Sequence, residues 1–229
     1  MFSSSLEQGG IVYTLRRALR QYGVAHTGRK ILSVARDPWF DLRHGTDTYA
    51  QVDVLELEVV GPNQAHAVHY EPTSYHELRQ LFRLVEVPRE GTFVDLGCGK
   101  GLAMLIASDA GFRRVVGVEF SKTLVDVARA NIAKYRGGRS DRITVVHADV
   151  AEYELDDDET VFFLFNPFRE EVMKGFVRNL EQSLQRSDRQ VWVIYVRPGQ
   201  RHVLDASDVF VSTDEYRLTR LQVVVYSNR

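Results

Sequence analysis

The stretch Phe93-Val94-Asp95-Leu96-Gly97-Cys98-Gly99-Lys100-Gly101 runs from an apolar segment into an acid and then three glycines at alternate positions. Glycines there let the backbone turn sharply and approach a ligand, and a helix starting after them presents its N-terminal amides. NAD-binding domains use similar turns, and a purely structural turn has the same look. Asp95 weighs between these readings, because a carboxylate just before the glycines suits a ligand with an ammonium group and repels a pyrophosphate. A second acid, Glu119, closes the next apolar run, where a carboxylate accepts from both hydroxyls of a ribose. A third, Asp149, follows the run after that, placed to accept from an adenine amino group with Val150 beside the ring. Each acid alone reads as a surface carboxylate. Three at the C-terminal ends of three successive strands, where open α/β sheets bind ligands, read as one site.

Asn166-Pro167-Phe168 ends a fourth apolar run on the same side. An asparagine-proline turn closing a strand competes with a functional reading, which the position beside the ligand favours. Cys98 is the only cysteine and has no evident activating base, so it reads as a small buried residue of the loop. The seven histidines show no metal spacing; His66 and His69 lack acidic or thiol partners, and His147 reads as structural. No metal is expected.

The elements that must position these residues begin near residue 91, where short β-branched runs alternate with helical patterns as in a parallel sheet covered by helices. Strands are expected at Thr92 to Leu96, Arg114 to Glu119, Ile143 to His147, Val161 to Phe165 and Gln190 to Val196, the fourth apolar throughout and therefore central. Helices are expected from Gly101 to Ala110, from the N-cap Ser121 toward Tyr135, and from Glu170 to Leu184. Val209 to Ser212 and Leu221 to Tyr226 lie too close together for a crossover helix, so they should pair antiparallel. Upstream, Ile11 to Tyr22 has the spacing of an amphipathic helix bearing Arg16, Arg17 and Arg20; Ala35 to Thr48 is turn-rich; Val52 to Val60 alternates like a strand; and Ser74 to Leu84 is helical.

Phe93 to Gly101, Val116-Gly117-Val118-Glu119, His147-Ala148-Asp149 and Phe165-Asn166-Pro167-Phe168 together resemble the successive motifs of class I S-adenosylmethionine-dependent methyltransferases. The resemblance covers roughly residues 91 to 196. It implies a seven-stranded Rossmann-like α/β sheet of five parallel strands plus an antiparallel C-terminal hairpin, with helices on both faces. It also implies S-adenosylmethionine as cofactor, with Gly97, Cys98, Gly99 and Gly101 at the methionine moiety, Glu119 at the ribose, and Phe120, Asp149 and Val150 framing the adenine. Tyr70-Glu71-Pro72-Thr73-Ser74-Tyr75 resembles the loop before the cofactor motif in Dot1-type lysine methyltransferases, which assigns Tyr70 and Thr73 to the cofactor. Pro167 departs from that family's pattern, and no long basic nucleosome-binding tail is present, so histone specificity does not carry over. With one proline missing, Asn166-Pro167-Phe168 is also similar to the Asn/Asp-Pro-Pro-aromatic motif of methyltransferases acting on amide or adenine nitrogens. By that similarity Asn166 accepts from the target amino group, and also touches the cofactor, while Phe168 packs on the acceptor.

Two divisions of the chain follow: an N-terminal extension or lid over residues 1–90, with Tyr70, Thr73 and Tyr75 reaching the mouth of the site, and a cofactor-binding domain over 91–229. The 229 residues hold 29 basic and 31 acidic side chains, a formal charge of -2, so no global field draws the chain to nucleic acid or anionic membrane. A polar N-terminus and the lack of a membrane-length apolar run give the expectation of a soluble, cytoplasmic protein. The leading function is methyl transfer to a nitrogen of a protein or small molecule. A nicotinamide-dependent oxidoreductase, which Asp95 and Asn166-Pro167-Phe168 disfavour, and a catalytically silent cofactor-binding regulator remain as alternatives.

Overall fold

The computed structural model describes residues 39–49, 74–165, 168–218 and 221–229. The helix expected over Ile11 to Tyr22 and the strand expected over Val52 to Val60 lie outside these residues, as do Tyr70, Thr73, Asn166 and Pro167.

Five strands alternate with helices as their patterning requires: β1 (Thr92–Leu96), β2 (Arg114–Glu119), β3 (Ile143–His147), β4 (Glu159–Phe165) and β5 (Trp192–Val196). They pair in parallel, and β7 (Gln222–Ser227) returns antiparallel between β5 and β6 (Ser212–Arg217). The resulting order is β3-β2-β1-β4-β5-β7-β6, a seven-stranded Rossmann-like methyltransferase sheet. β1 and β4 lie inside the sheet and are almost wholly buried, which is why both read as continuous apolar runs.

One face carries α1 (Tyr75–Leu84), α2 (Leu102–Asp109) and α3 (Lys122–Lys134); the other carries α4 (Glu170–Arg186) and the short α5 (Arg201–Asp205). On the first face Phe82, Phe93, Phe112 and Phe163 interlock with ring centroids 4.8–6.2 Å apart. On the second, Phe162 packs edge-on to Phe176 of α4. Each apolar face thus reflects the two-residue period of the strands.

Three expectations need correction. The penultimate strand spans Ser212–Arg217 rather than Val209 to Ser212. It is an exposed edge strand, so its Ser-Thr-Asp-Glu-Tyr-Arg sequence needs no apolar face, and its register follows β7. The turn-rich segment before residue 49 is helical over the described residues 39–44, and Asp41 holds the turn after them, its carboxylate accepting from Thr46 Oγ1 and the Thr48 and Tyr49 amides. Phe40 of that helix is 2 % exposed and joins the core beside Leu78, Leu81 and Phe82 of α1. Finally, Tyr75 does not reach toward the site: its ring stacks on Phe40 with centroids 4.6 Å apart and its hydroxyl accepts from Arg79. Among the described residues no helix is long and apolar enough to cross a membrane.

Candidate active site

Register places the candidate residues along one edge. Leu96 pairs with Val118 and Leu164, Glu119 with His147, and Phe165 with Val196, so the ends of β1 to β5 form a single C-terminal rim. The loop after β1 turns through three glycines at φ 79° (Gly97), 53° (Gly99) and 91° (Gly101). A β-carbon disfavours that region, so the alternate glycines are a requirement of the turn.

Their amides are spoken for within the loop. The Gly97 and Cys98 N–H groups donate to Val118 O at 2.8 and 3.1 Å, Gly99 N–H to Glu119 Oε2 at 3.0 Å, and Gly101 N–H to Cys98 O at 2.9 Å. The glycines therefore contribute a close backbone surface and a rigid turn more than a row of open donors. Glu119 also accepts from Ser121 N–H through Oε1 at 2.9 Å, so amides fix both carboxylate oxygens at the end of β2. Ser121 in turn caps α3 by accepting from Leu124 N–H.

Asp95 and Glu119 are each 3 % exposed, and they share a face of the sheet, since Asp95 lies across from Gly117 and Glu119 follows two residues later on β2. Burial, and then the charge of Glu119, push the Asp95 carboxyl up to about 8. Burial raises Glu119 as well, against the opposing pull of the Ser121, Gly99 and Phe120 amides. Such a pair favours a positively charged ligand, which would restore ionisation. Cys98 lies under the loop; burial, Asp95 and Glu119 lift its thiol well above the ordinary range, so it is an inert packing group. A β-carbon on Gly117 would collide with Met104 Sδ and Cys98 Sγ, and the glycine makes room for both supports of the loop.

The third acid, Asp149, accepts from Ala151 N–H at 2.9 Å beside the buried Val150. Two residues one turn apart on α4 hold this loop. Asn179 Nδ2 donates to the Ala151 and Tyr153 carbonyls at 2.9 and 3.2 Å, and Gly175 lets Ala151 pack directly on the helix. His147 Nε2 lies 3.1 Å from Phe120 O, tying β3 to the half-buried Phe120.

Sequence reasoning missed Lys100, which is 2 % exposed and forms a 3.1 Å ion pair with Asp47. Asn131 of α3 completes the clasp, donating to Lys100 O and Asp47 O and accepting from Asp47 N–H at 2.9, 3.0 and 2.7 Å. Nothing local in the sequence links residue 47 to residue 100. The structure thus brings together Asp95, Gly97, Cys98, Gly99, Gly101, Glu119, Phe120, Asp149 and Val150, with Phe168 half-buried where α4 begins.

A family model described as a methyltransferase domain matches residues 93–187. A ribosomal protein L11 methyltransferase of Burkholderia mallei is 28% identical over 171 residues, covering 69% of this chain and 49% of its own length. A probable protein arginine N-methyltransferase 6 of Arabidopsis thaliana is 35% identical over 71 residues, which is 30% of this chain and 15% of that protein. The chain thus spans less than half the length of these relatives. Among solved structures, an RNA methyltransferase from Salinibacter ruber in complex with S-adenosyl-L-homocysteine superposes with a TM-score of 0.52 at 20% identity, over 69% of this chain and 93% of that one. Sheet order and structural likeness agree on the fold, that of the class I S-adenosylmethionine-dependent methyltransferases, and residues 93–187 match a methyltransferase domain.

Proposed function

We propose that this chain is an enzyme that binds S-adenosylmethionine along Asp95–Gly101, Glu119, Phe120, Asp149 and Val150 and transfers its methyl group to a nitrogen of a protein or small-molecule acceptor at Asn166-Pro167-Phe168. The observation that carries this reading is the buried acid pair Asp95 and Glu119 against the glycine loop. A ligand with a sulfonium and an ammonium group relieves that pair, whereas a pyrophosphate aggravates it. The antiparallel β7 within the sheet also weighs against the all-parallel sheet of nicotinamide dehydrogenases.

The chemistry asks for little covalent help. When bound, S-adenosylmethionine would supply a methyl carbon activated by the sulfonium, which would pass to the lone pair of the acceptor nitrogen, with a neutral thioether as the leaving group and the nitrogen's extra proton lost to solvent. Positioning and exclusion of water supply the rate. Asn166 orients the amino group in this scheme and Phe168 packs beside it. Residues 1–90 act as an extension and lid, with Tyr70 and Thr73 at the methionine end; the Asp47–Lys100 clasp supports this by anchoring residues before 50 to the cofactor loop. The names of these relatives point to a ribosomal protein, to protein arginine and to RNA; the balanced charge of this chain favours a protein or small molecule. A single buried thiol suits a reducing, cytoplasmic setting.

The test is Asn166→Ala, assayed by transfer of labelled methyl to a panel of acceptors. Cofactor affinity should stay within a few fold while turnover falls by about tenfold to a thousandfold. A large loss of cofactor binding with normal turnover at saturation would move Asn166 out of the acceptor site.

A further inference from the structure

Lys100 stands in the cofactor loop between two glycines of positive φ, 53° at Gly99 and 91° at Gly101. Glycine leaves the backbone free to swivel on either side, so the turn is set by what holds Lys100 itself. The lysine side chain is 2 % exposed, and an ammonium taken out of water needs a counter-charge. Among the described residues that charge is Asp47, whose two carboxylate oxygens lie 3.2 and 3.1 Å from Lys100 Nζ and whose own side chain is 57 % exposed. The aspartate closes over the lysine from the solvent side, and it comes from 53 positions earlier in the chain.

A second tie runs through the backbone. Asn131 of α3 is 1 % exposed, and its side-chain amide is spent on this pair: Nδ2 donates to Lys100 O at 2.9 Å and to Asp47 O at 3.0 Å, while Oδ1 accepts from Asp47 N–H at 2.7 Å. Residues 39–49 thus hold Lys100 by its ammonium and, by way of Asn131, by its carbonyl. The hold extends to the rim. Gly99, the residue before Lys100, donates its N–H to Glu119 Oε2 at 3.0 Å, so a shift of Lys100 reaches the carboxylate assigned to the ribose through a single intervening residue.

We propose that Asp47 is a positioning residue of the cofactor site: its hold on Lys100 sets the turn from Gly99 to Gly101, so docking of residues 39–49 and binding of S-adenosylmethionine strengthen one another. This rests on the methyltransferase reading and adds to it a control of that same site from outside the strand rim. Coupling of this kind is reciprocal: the factor by which the docked segment raises cofactor affinity is the factor by which the cofactor stabilises the docked segment.

The test uses the full chain and S-adenosylhomocysteine. Calorimetric titration of Asp47→Asn and Lys100→Met should show each weakening binding by about fivefold or more, the lower end of typical coupling between sites. The double variant should bind within about twofold of the weaker single one, because the two side chains act as a unit. In the parent, saturating S-adenosylhomocysteine should slow hydrogen exchange over residues 45–49 by at least about threefold, and in Lys100→Met it should not. Single variants that bind as the parent does, whatever their melting temperature, would make the clasp a support of the fold alone and overturn the proposal. Losses that multiply in the double variant would overturn it as well, since Asp47 and Lys100 would then act separately. Should a variant fail to fold, the parent's exchange decides: unchanged protection of residues 45–49 on binding overturns the coupling. A parent that binds no S-adenosylhomocysteine overturns the methyltransferase reading, and this proposal with it.

Discussion

Asp95 shows how a single side chain couples folding, ligand charge and pH. In the unfolded chain its carboxyl ionises near the ordinary value of about 4, whereas burial and Glu119 hold the proton on the folded protein up to about 8. Between those values the folded state binds more protons, so its stability falls as pH rises. The contribution is complete below the unfolded value and is lost as pH passes through the folded one. Asp95→Asn should therefore melt with a weaker pH dependence than the parent across this window. A cationic ligand reverses the preference by favouring the ionised carboxyl: cofactor affinity should climb with pH toward about 8, and binding should release a proton. Calorimetry in buffers of different ionisation enthalpy measures that release; heats independent of buffer, with a flat affinity, would mean that Asp95 does not face the ligand's charge. The three acids were legible from residue type and strand-end position alone. The inward use of the Gly97, Cys98 and Gly99 amides was not, because it depends on how closely β2 lies to the loop.

Among the elements, α4 acts on the site from outside it. A β-carbon on Gly175 would stand 2.7 Å from Ala151 Cβ and 2.9 Å from its Cα, and the backbone atom cannot yield without moving the loop that carries Asp149. Alanine improves helix propensity by about 1 kcal/mol, while overpacking costs about 1–3 kcal/mol, so the clash prevails locally. Gly175→Ala should remain folded with a modest change in melting temperature and bind S-adenosylmethionine several-fold more weakly. An unchanged affinity would show that α4 does not set the adenine side of the site. The five parallel strands and three main helices were legible because burial on one or two faces stamps a period on their sequences. β6 was misplaced because an exposed edge strand bears no such stamp, and α5 went unseen because five residues are too few to show a helical period. The positive φ of Arg197, just beyond β5, was equally silent, since nothing in the residue type marks it.

At the scale of the whole molecule, the segment before the first strand shares a core with the methyltransferase sheet. Phe40 packs with Tyr75 and Tyr135, and α1 places Leu78, Leu81 and Phe82 on Phe93 and Phe112. Phe40→Ala should cost about 3–5 kcal/mol, seen as a lower melting temperature, because it empties a buried site against Tyr75 and Tyr135. A loss under about 1 kcal/mol would mean that the segment is not docked as described. That linkage could not be foreseen from residues 39–49, whose turn residues hide one aromatic anchor and an acid that pairs 53 positions away with Lys100. The central claim, that the rim of β1 to β3 holds S-adenosylmethionine, is tested most directly by calorimetric titration of the full chain and of Glu119→Ala with S-adenosylmethionine and with NAD. The parent should bind S-adenosylmethionine saturably at one site and leave NAD unbound, and Glu119→Ala should weaken that binding by roughly 1.5–3 kcal/mol through loss of charge-assisted bonds to the ribose. Binding of NAD in its place, or an undiminished affinity in folded Glu119→Ala, would contradict it.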